Sequence, residues 1–146
     1  MPVTFGVEAA HGSYRPDMDP KIPIRGIDYT VIHARDMDAM RKFYGTTLGL
    51  TLLRELSASW VEYRVGANVL ALAQSGGRYG DAPTPPQAAS VQLAFRVTRD
   101  EVDTCADILC ERGVAITERP TDQAFGHRTL FFRDPDGNLL EVFADI

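Results

Sequence analysis

The sequence has few of the residues that mark specialised classes of protein. Only two cysteines occur in 146 residues, so the chain has no disulfide framework of the kind that staples small secreted domains. Cys105 and Cys110 lie five residues apart in a segment that we predict to be helical, and this spacing puts their thiols on different faces. The first residues, MPVTFGVEAA, lack the basic start and apolar run of a secretory signal. We therefore expect no disulfide and a cytoplasmic protein.

Long runs of one character are also missing. No apolar stretch approaches the roughly 18 residues that a membrane-spanning helix requires. No window holds five or six consecutive basic residues, and the formal net charge is −5. Nucleic-acid surfaces need clustered Lys and Arg. We expect neither a membrane nor a nucleic acid as a partner.

The composition that remains is that of a globular domain. Hydrophobic residues make up 45% and charged residues 24% of a chain whose length suits one domain. Residues 1–24 show no clear periodicity and are predicted to be an N-terminal extension. A single domain follows over 25–146, and a linker rich in Gly and Pro, 76–89, divides it into module one (25–75) and module two (90–146).

Each module shows the same order of one strand, one helix and three strands. A single such module would leave one face of its sheet bare, so the repeat needs its twin. The pattern therefore predicts an α+β fold of two tandem βαβββ modules, which form a concave mixed-sheet cup with the helices outside. A small organic molecule would bind in that cup. The predicted strands are Ile27–Arg35, Leu50–Leu56, Trp60–Val65, Asn68–Ala73, Val91–Val97, Ala115–Glu118, Arg128–Phe132 and Asn138–Phe143, with helices after Asp36 and after the Thr98/Glu101 capping box.

Three segments resemble a known superfamily. They are FYGTTLGL from Phe43 to Leu50, VQLAFRV from Val91 to Val97, and FFRDPDGNLLEVF from Phe131 to Phe143. They are similar to segments of the vicinal oxygen chelate superfamily, which includes glyoxalase I, bleomycin-resistance and fosfomycin-resistance proteins, and extradiol dioxygenases. The resemblance covers roughly residues 25 to 145, and it implies the same fold and a homodimer.

The resemblance also implies where a metal would bind. The ligand positions of the metal-dependent members fall on Tyr29, Ala71, Gln92 and Glu141. A phenol, a methyl group, an amide and one carboxylate make a poor divalent site. A shifted site that uses His33 with Glu141 would lack the spacing of the superfamily. We expect no metal and no other cofactor; if a divalent metal does bind, Glu141 would be a ligand.

Strand alternation directs Glu141 into the cup. There it would orient a ligand, act as a base, or be held by hydrogen bonds from Gln92 and Tyr29. Arg96 lies on the same strand face as Gln92 and would suit a carboxylate or phosphate on the ligand, or form a salt bridge instead. Trp60 would wall the pocket or pack in the core. The predicted ligand-binding residues are Tyr29, His33, Trp60, Gln92, Arg96 and Glu141, with Glu141 as the one candidate catalytic residue.

Two functions from different classes are consistent with this pattern. The first is a metal-free protein, similar to bleomycin-resistance proteins, that binds a small organic molecule. The alternative is an enzyme: a metal-dependent lyase, isomerase or dioxygenase, or a metal-free enzyme in which Glu141 transfers a proton. Because three of the four ligand positions carry no strong metal ligand, the sequence favours the binding protein.

Overall fold

A computed structural model describes residues 21–146 of the chain. The predicted N-terminal extension, 1–24, therefore lies almost entirely outside the described residues. The described part contains eight strands, two α-helices and one π-helical turn. In chain order these elements are β1 Tyr29–Ala34, α1 Met37–Lys42, the π-helical turn Phe43–Thr47, β2 Thr51–Ser57, β3 Trp60–Val65, β4 Asn68–Gln74, β5 Gln92–Arg96, α2 Arg99–Glu111, β6 Ile116–Asp122, β7 His127–Arg133 and β8 Leu139–Asp145.

The helix starts follow from capping residues. The Asp36 carboxylate accepts a hydrogen bond from the Ala39 backbone N–H at 3.0 Å and so begins α1. Before α2, the Thr98 backbone N–H donates to Glu101 Oε1, also at 3.0 Å. Both caps are readable in the sequence, and both helices begin where it predicts.

Each module forms one four-stranded mixed sheet. The first sheet has the strand order β1-β4-β3-β2, and the second has β5-β8-β7-β6. In both sheets the module's first strand pairs in parallel with its last strand, and the other neighbours are antiparallel. The predicted α+β fold of tandem βαβββ modules is confirmed. None of the helices in residues 21–146 is long and apolar enough to cross a membrane.

The helix-covered faces of both sheets share one hydrophobic core. Ile32 and Leu72 from module one belong to the same buried cluster as Val102, Leu130 and Leu140 from module two. This continuity explains why neither module needs to be stable alone, since each buries apolar surface against the other. No helix from residues 21–146 covers the opposite face of either sheet, which we call the open face.

Candidate functional site

The open face of the first sheet holds a row of aligned side chains. The pairing places Val31 of β1 beside Ala71 of β4, and Ala71 beside Glu62 of β3. Strand alternation puts Tyr29, two residues before Val31, on the same face, and Trp60 joins it from β3. This face therefore collects two of the predicted ligand-binding aromatic residues.

A cavity of about 580 Å³ lies on this face. Its size falls within the range of sites for small molecules. All of its lining residues belong to module one; they are Asp28, Tyr29, Leu53, Arg54, Leu56, Trp60, Glu62 and Val69. We call it the module-one cavity. It brings together Tyr29 and Trp60, two of the predicted ligand-binding residues.

A buried carboxylate forms one wall of the module-one cavity. Arg54 binds Glu62 at two points, from Nε to Oε2 at 2.7 Å and from Nη2 to Oε1 at 3.1 Å. Trp60 Nε1 also donates to Glu62 Oε1, at 2.9 Å. The Glu62 side chain is only 9% exposed. The hydrogen bonds from Arg54, and then the one from Trp60, lower the pKa of Glu62, so this carboxylate is ionised at neutral pH.

Glu62 and Arg54 were missed by sequence reasoning. A signal was available, because Glu62 lies between apolar residues in the strand WVEYRV, as Glu141 does in LLEVF. The strand pattern does not fix which side chains of β3 face the helix, and Arg54 lies on a neighbouring strand with irregular register. The hairpin that pairs Arg54 with Glu62 supplies the missing information.

Glu141 lies on the open face of the second sheet. Its neighbours across the sheet are Ala94 of β5 and Phe131 of β7, and its side chain is partly exposed. The alternation therefore points Glu141 away from the helix, as the sequence indicates. Within residues 21–146, its carboxylate makes no hydrogen bond with Tyr29 or Gln92.

Arg96 is engaged by another acidic residue. Its Nη1 contacts Asp145 Oδ2 at 2.6 Å, and its guanidinium lies 4.7 Å from the centre of the Phe143 ring. The other oxygen of Asp145 lies 3.2 Å from His127 Nε2. The salt-bridge interpretation of Arg96 thus describes the observed contact, and Gln92 lies at the other end of β5.

His33 lies apart from the module-one cavity. It lines a separate cavity of about 260 Å³ together with Ser90 and the linker segment 81–84. The predicted ligand-binding residues are therefore distributed over three places: Tyr29 with Trp60, His33 beside the linker, and Gln92, Arg96 and Glu141 on the second sheet.

The donor set does not suit a divalent metal. Ala71 offers no ligand atom, and the nearest carboxylate on that face, Glu62, already accepts hydrogen bonds at both oxygens. Amide and phenol oxygens from Gln92 and Tyr29 are weak ligands compared with imidazole or thiolate. Of the four ligand positions that the resemblance implies, Glu141 alone carries a strong ligand. The absence of a resident metal remains a prediction.

Comparisons with known proteins place the chain in a family. The sequence profile of the Glyoxalase/Bleomycin resistance protein/Dioxygenase superfamily matches residues 26–142. The chain is 30% identical over 125 residues to the glyoxalase domain-containing protein RDO1 of Mycosarcoma maydis. The aligned region covers 84% of this chain and 69% of that protein.

Two further relatives show the same likeness. The virulence protein STM3117 of Salmonella typhimurium is 28% identical over 119 residues, covering 80% of this chain and 81% of that protein, and its crystal structure superposes with a TM-score of 0.68. The crystal structure of a lactoylglutathione lyase from Agrobacterium tumefaciens has a TM-score of 0.64 and 27% identity, covering 84% of this chain and 96% of that one. The chain belongs to the Glyoxalase/Bleomycin resistance protein/Dioxygenase superfamily.

Proposed function

We propose that this protein binds a small organic molecule on its open faces without a catalytic metal. The observation that carries the proposal is the module-one cavity, in which Tyr29 and Trp60 stand beside an oriented Arg54–Glu62 pair. Apolar walls with a few fixed polar groups are typical of ligand sites. Glu141, on the second sheet, would contact the ligand from another side and fix its orientation.

A second copy of the chain would complete the site. All seven residues of β2 are exposed, among them Leu53 and Leu56 at the module-one cavity. Exposed apolar patches of this kind mark interaction surfaces. In this proposal the second sheet of a partner covers this face and brings Glu141 of the partner subunit to the site. The homodimer would then contain two equivalent sites.

A cytoplasmic location accords with this function. Cys105 and Cys110 are both free thiols, and such thiols persist in reducing compartments.

The alternative is an enzyme, and one observation favours it. The backbone of Glu141 is paired within its sheet, but its carboxylate accepts no hydrogen bond from another side chain among the described residues, so it is available to accept a proton from a substrate. Similarity to a lactoylglutathione lyase also fits an enzyme. The weak donor set at Tyr29, Ala71 and Gln92 supports the binding protein over a metal-dependent enzyme.

Thermal unfolding of metal-free protein tests the proposal. Protein treated with a chelator, and confirmed free of metal by elemental analysis, is screened against a chemically diverse set of small molecules. We expect at least one compound to raise the melting temperature without added metal, because a ligand that binds only the folded state stabilises it. Stabilisation that appears only after one equivalent of a divalent metal is added would support the enzyme instead.

Glu141→Gln tests the part that Glu141 plays. This substitution keeps the shape of the side chain and removes its charge, so we expect an unchanged melting temperature and weaker ligand binding. Glu111→Gln, at the exposed end of α2, is the matched control and should leave binding unchanged. If Glu141→Gln instead lowers the melting temperature strongly, Glu141 is structural.

A further inference from the structure

The module-one cavity combines apolar walls with one donor group whose orientation is fixed, the Arg54 guanidinium. We infer that its ligand is a planar aromatic molecule that carries an uncharged hydrogen-bond acceptor, such as a ketone or amide oxygen. This inference rests on the proposed function and specifies the ligand class.

The walls favour a flat ring system. Trp60 and Tyr29 supply aromatic surface, and Leu53, Leu56 and Val69 supply aliphatic surface. Aromatic rings stack on one another with a gain beyond simple burial. Because Glu62 takes the Trp60 indole N–H, this tryptophan offers a ligand its ring and not its hydrogen bond.

The donor is the remaining nitrogen of Arg54. Glu62 binds Nε and Nη2 of the guanidinium, and within residues 21–146 we find no acceptor for Nη1. The two-point contact fixes the plane of the guanidinium, so the direction of the Nη1 donors is set before a ligand arrives. Glu62 is thus a positioning residue for Arg54.

The charge balance selects an uncharged acceptor. Arg54 and Glu62 neutralise each other, while Asp28 at the same cavity adds one negative charge. No other lysine, arginine or histidine appears among the described residues that line the cavity. A carboxylate ligand would meet this excess negative charge, whereas a carbonyl oxygen accepts the Arg54 hydrogen bond without repulsion.

Trp60 makes the test direct, because it is the only tryptophan in the chain. Its fluorescence is followed during titration with three probes of similar shape: 2-acetylnaphthalene, 2-naphthoate and naphthalene. We expect saturable quenching by 2-acetylnaphthalene, with a Kd about tenfold lower than that of naphthalene, as one hydrogen bond from a charged donor predicts. The Kd of 2-naphthoate should also be higher than that of 2-acetylnaphthalene.

Three variants assign the effect to named residues. Arg54→Met should bring the affinity for 2-acetylnaphthalene down to that for naphthalene. Glu62→Gln removes one negative charge, so the Kd of 2-naphthoate should fall several-fold, a gain that misfolding cannot produce. Arg64→Met is the matched control, since Arg64 is an exposed arginine on the same face of β3 but outside the cavity lining. It should change none of the three affinities.

Specific outcomes would overturn the inference. Equal affinity for 2-acetylnaphthalene and naphthalene, or the same preference in Arg54→Met, would show that the Arg54 donor is not used. Unchanged Trp60 emission with all three probes, while the thermal screen finds other ligands, would reject this ligand class and leave the proposed function standing. If the screen also finds none, the proposed function itself fails.

Discussion

Tyr44 and Asp134 form a buried polar contact between the two modules. The Tyr44 hydroxyl donates to Asp134 Oδ2 at 2.7 Å, and neither residue is exposed to solvent. Asp134 also accepts from the backbone N–H groups of Asp136 and Asn138, each at 3.0 Å. The turn Asp134–Gly137 therefore links the two modules, because the Asp134 carboxylate accepts one of its hydrogen bonds from Tyr44 of the other module.

Removal of the Tyr44 hydroxyl should destabilise the fold. Tyr44→Phe leaves a buried carboxylate short of one donor, which costs about 1–3 kcal/mol of unfolding free energy. Urea denaturation measures the change. Tyr79→Phe is the control, since Tyr79 is 82% exposed and its hydroxyl should contribute within about 0.5 kcal/mol. Equal stability of the two variants would show that the Tyr44 contact is worth little.

The same hydroxyl predicts a loss of stability in alkali. Burial, and then the charge of Asp134, raises the pKa of Tyr44 above its ordinary value, which is about 10. The stabilisation is fully present below that value and declines as pH rises above it, because the unfolded chain loses this proton first. Between about pH 10 and 11 the free energy of unfolding should fall by up to about 1.4 kcal/mol more than in Tyr44→Phe. Parallel pH curves for the two proteins would contradict this.

Glu141 and Glu62, the acidic residues on the two open faces, differ in how far the sequence predicts their roles. Glu141 was identified because its strand alternates clearly and a family motif surrounds it. Glu62 also stands between apolar residues in its strand, but its role depends on Arg54 across an irregular hairpin. Such pairing is a tertiary property, and no local pattern contains it.

The helix of module one ends in a π-helical turn, Phe43–Thr47, that the sequence does not predict. The backbone continues through Gly45, where a Cβ atom would lie 3.2 Å from the Tyr63 hydroxyl and 3.3 Å from its ring. Gly45 is therefore needed for the close approach of β3, because Tyr63 is 3% exposed and tightly packed.

Gly45→Ala should destabilise the protein despite the better helix propensity of alanine. The added methyl group overpacks a buried ring, which costs about 1–3 kcal/mol against a gain of about 1 kcal/mol from propensity. Urea denaturation measures the net loss, and Tyr63→Phe in the same chain should recover part of it. Gly26→Ala is the control, since no atom lies within 4 Å of its added Cβ. A more stable Gly45→Ala protein would show that the ring yields.

Strand β6 shows a second limit at the scale of elements. The pattern predicts Ala115–Glu118, whereas the strand extends over Ile116–Asp122 and includes Pro120. Proline lacks the backbone N–H, so it argues against a strand unless the strand lies at an edge or a bulge. Here β6 is the edge of its sheet, with register shifts on either side of Glu118. Neither fact is visible locally.

At the scale of the whole molecule, the fold could be predicted from the repeat of two βαβββ modules. The order of elements, confirmed in both modules, could be predicted because alternation and caps are local signals. The distribution of site residues could not, since it depends on which sheet faces and loops the folded chain brings together. Tyr29 and Glu141, both residues of the predicted site, lie on different sheets.

We expect a dimer in solution, with a mass near 32 kDa by light scattering, twice the 16.1 kDa of one chain. Leu53→Glu with Leu56→Glu places charges on the open face of β2 and should produce monomers that stay folded. Leu52→Glu is the matched control, because Leu52 is equally exposed on the same strand but outside the module-one cavity. A wild-type protein that is monomeric at every concentration would exclude the dimer.

Mixing two damaged proteins tests the shared site most directly. Tyr29→Ala impairs the half-site of the first sheet, and Glu141→Gln impairs that of the second. Calorimetry with a compound from the thermal screen counts the full-affinity sites after the two variants are mixed in equal amounts and allowed to exchange subunits. If each site combines two chains, about one quarter of all sites should regain wild-type affinity, because half of the dimers are mixed and each has one intact site. No recovery after proven exchange would show that the site lies within one chain and would contradict the account.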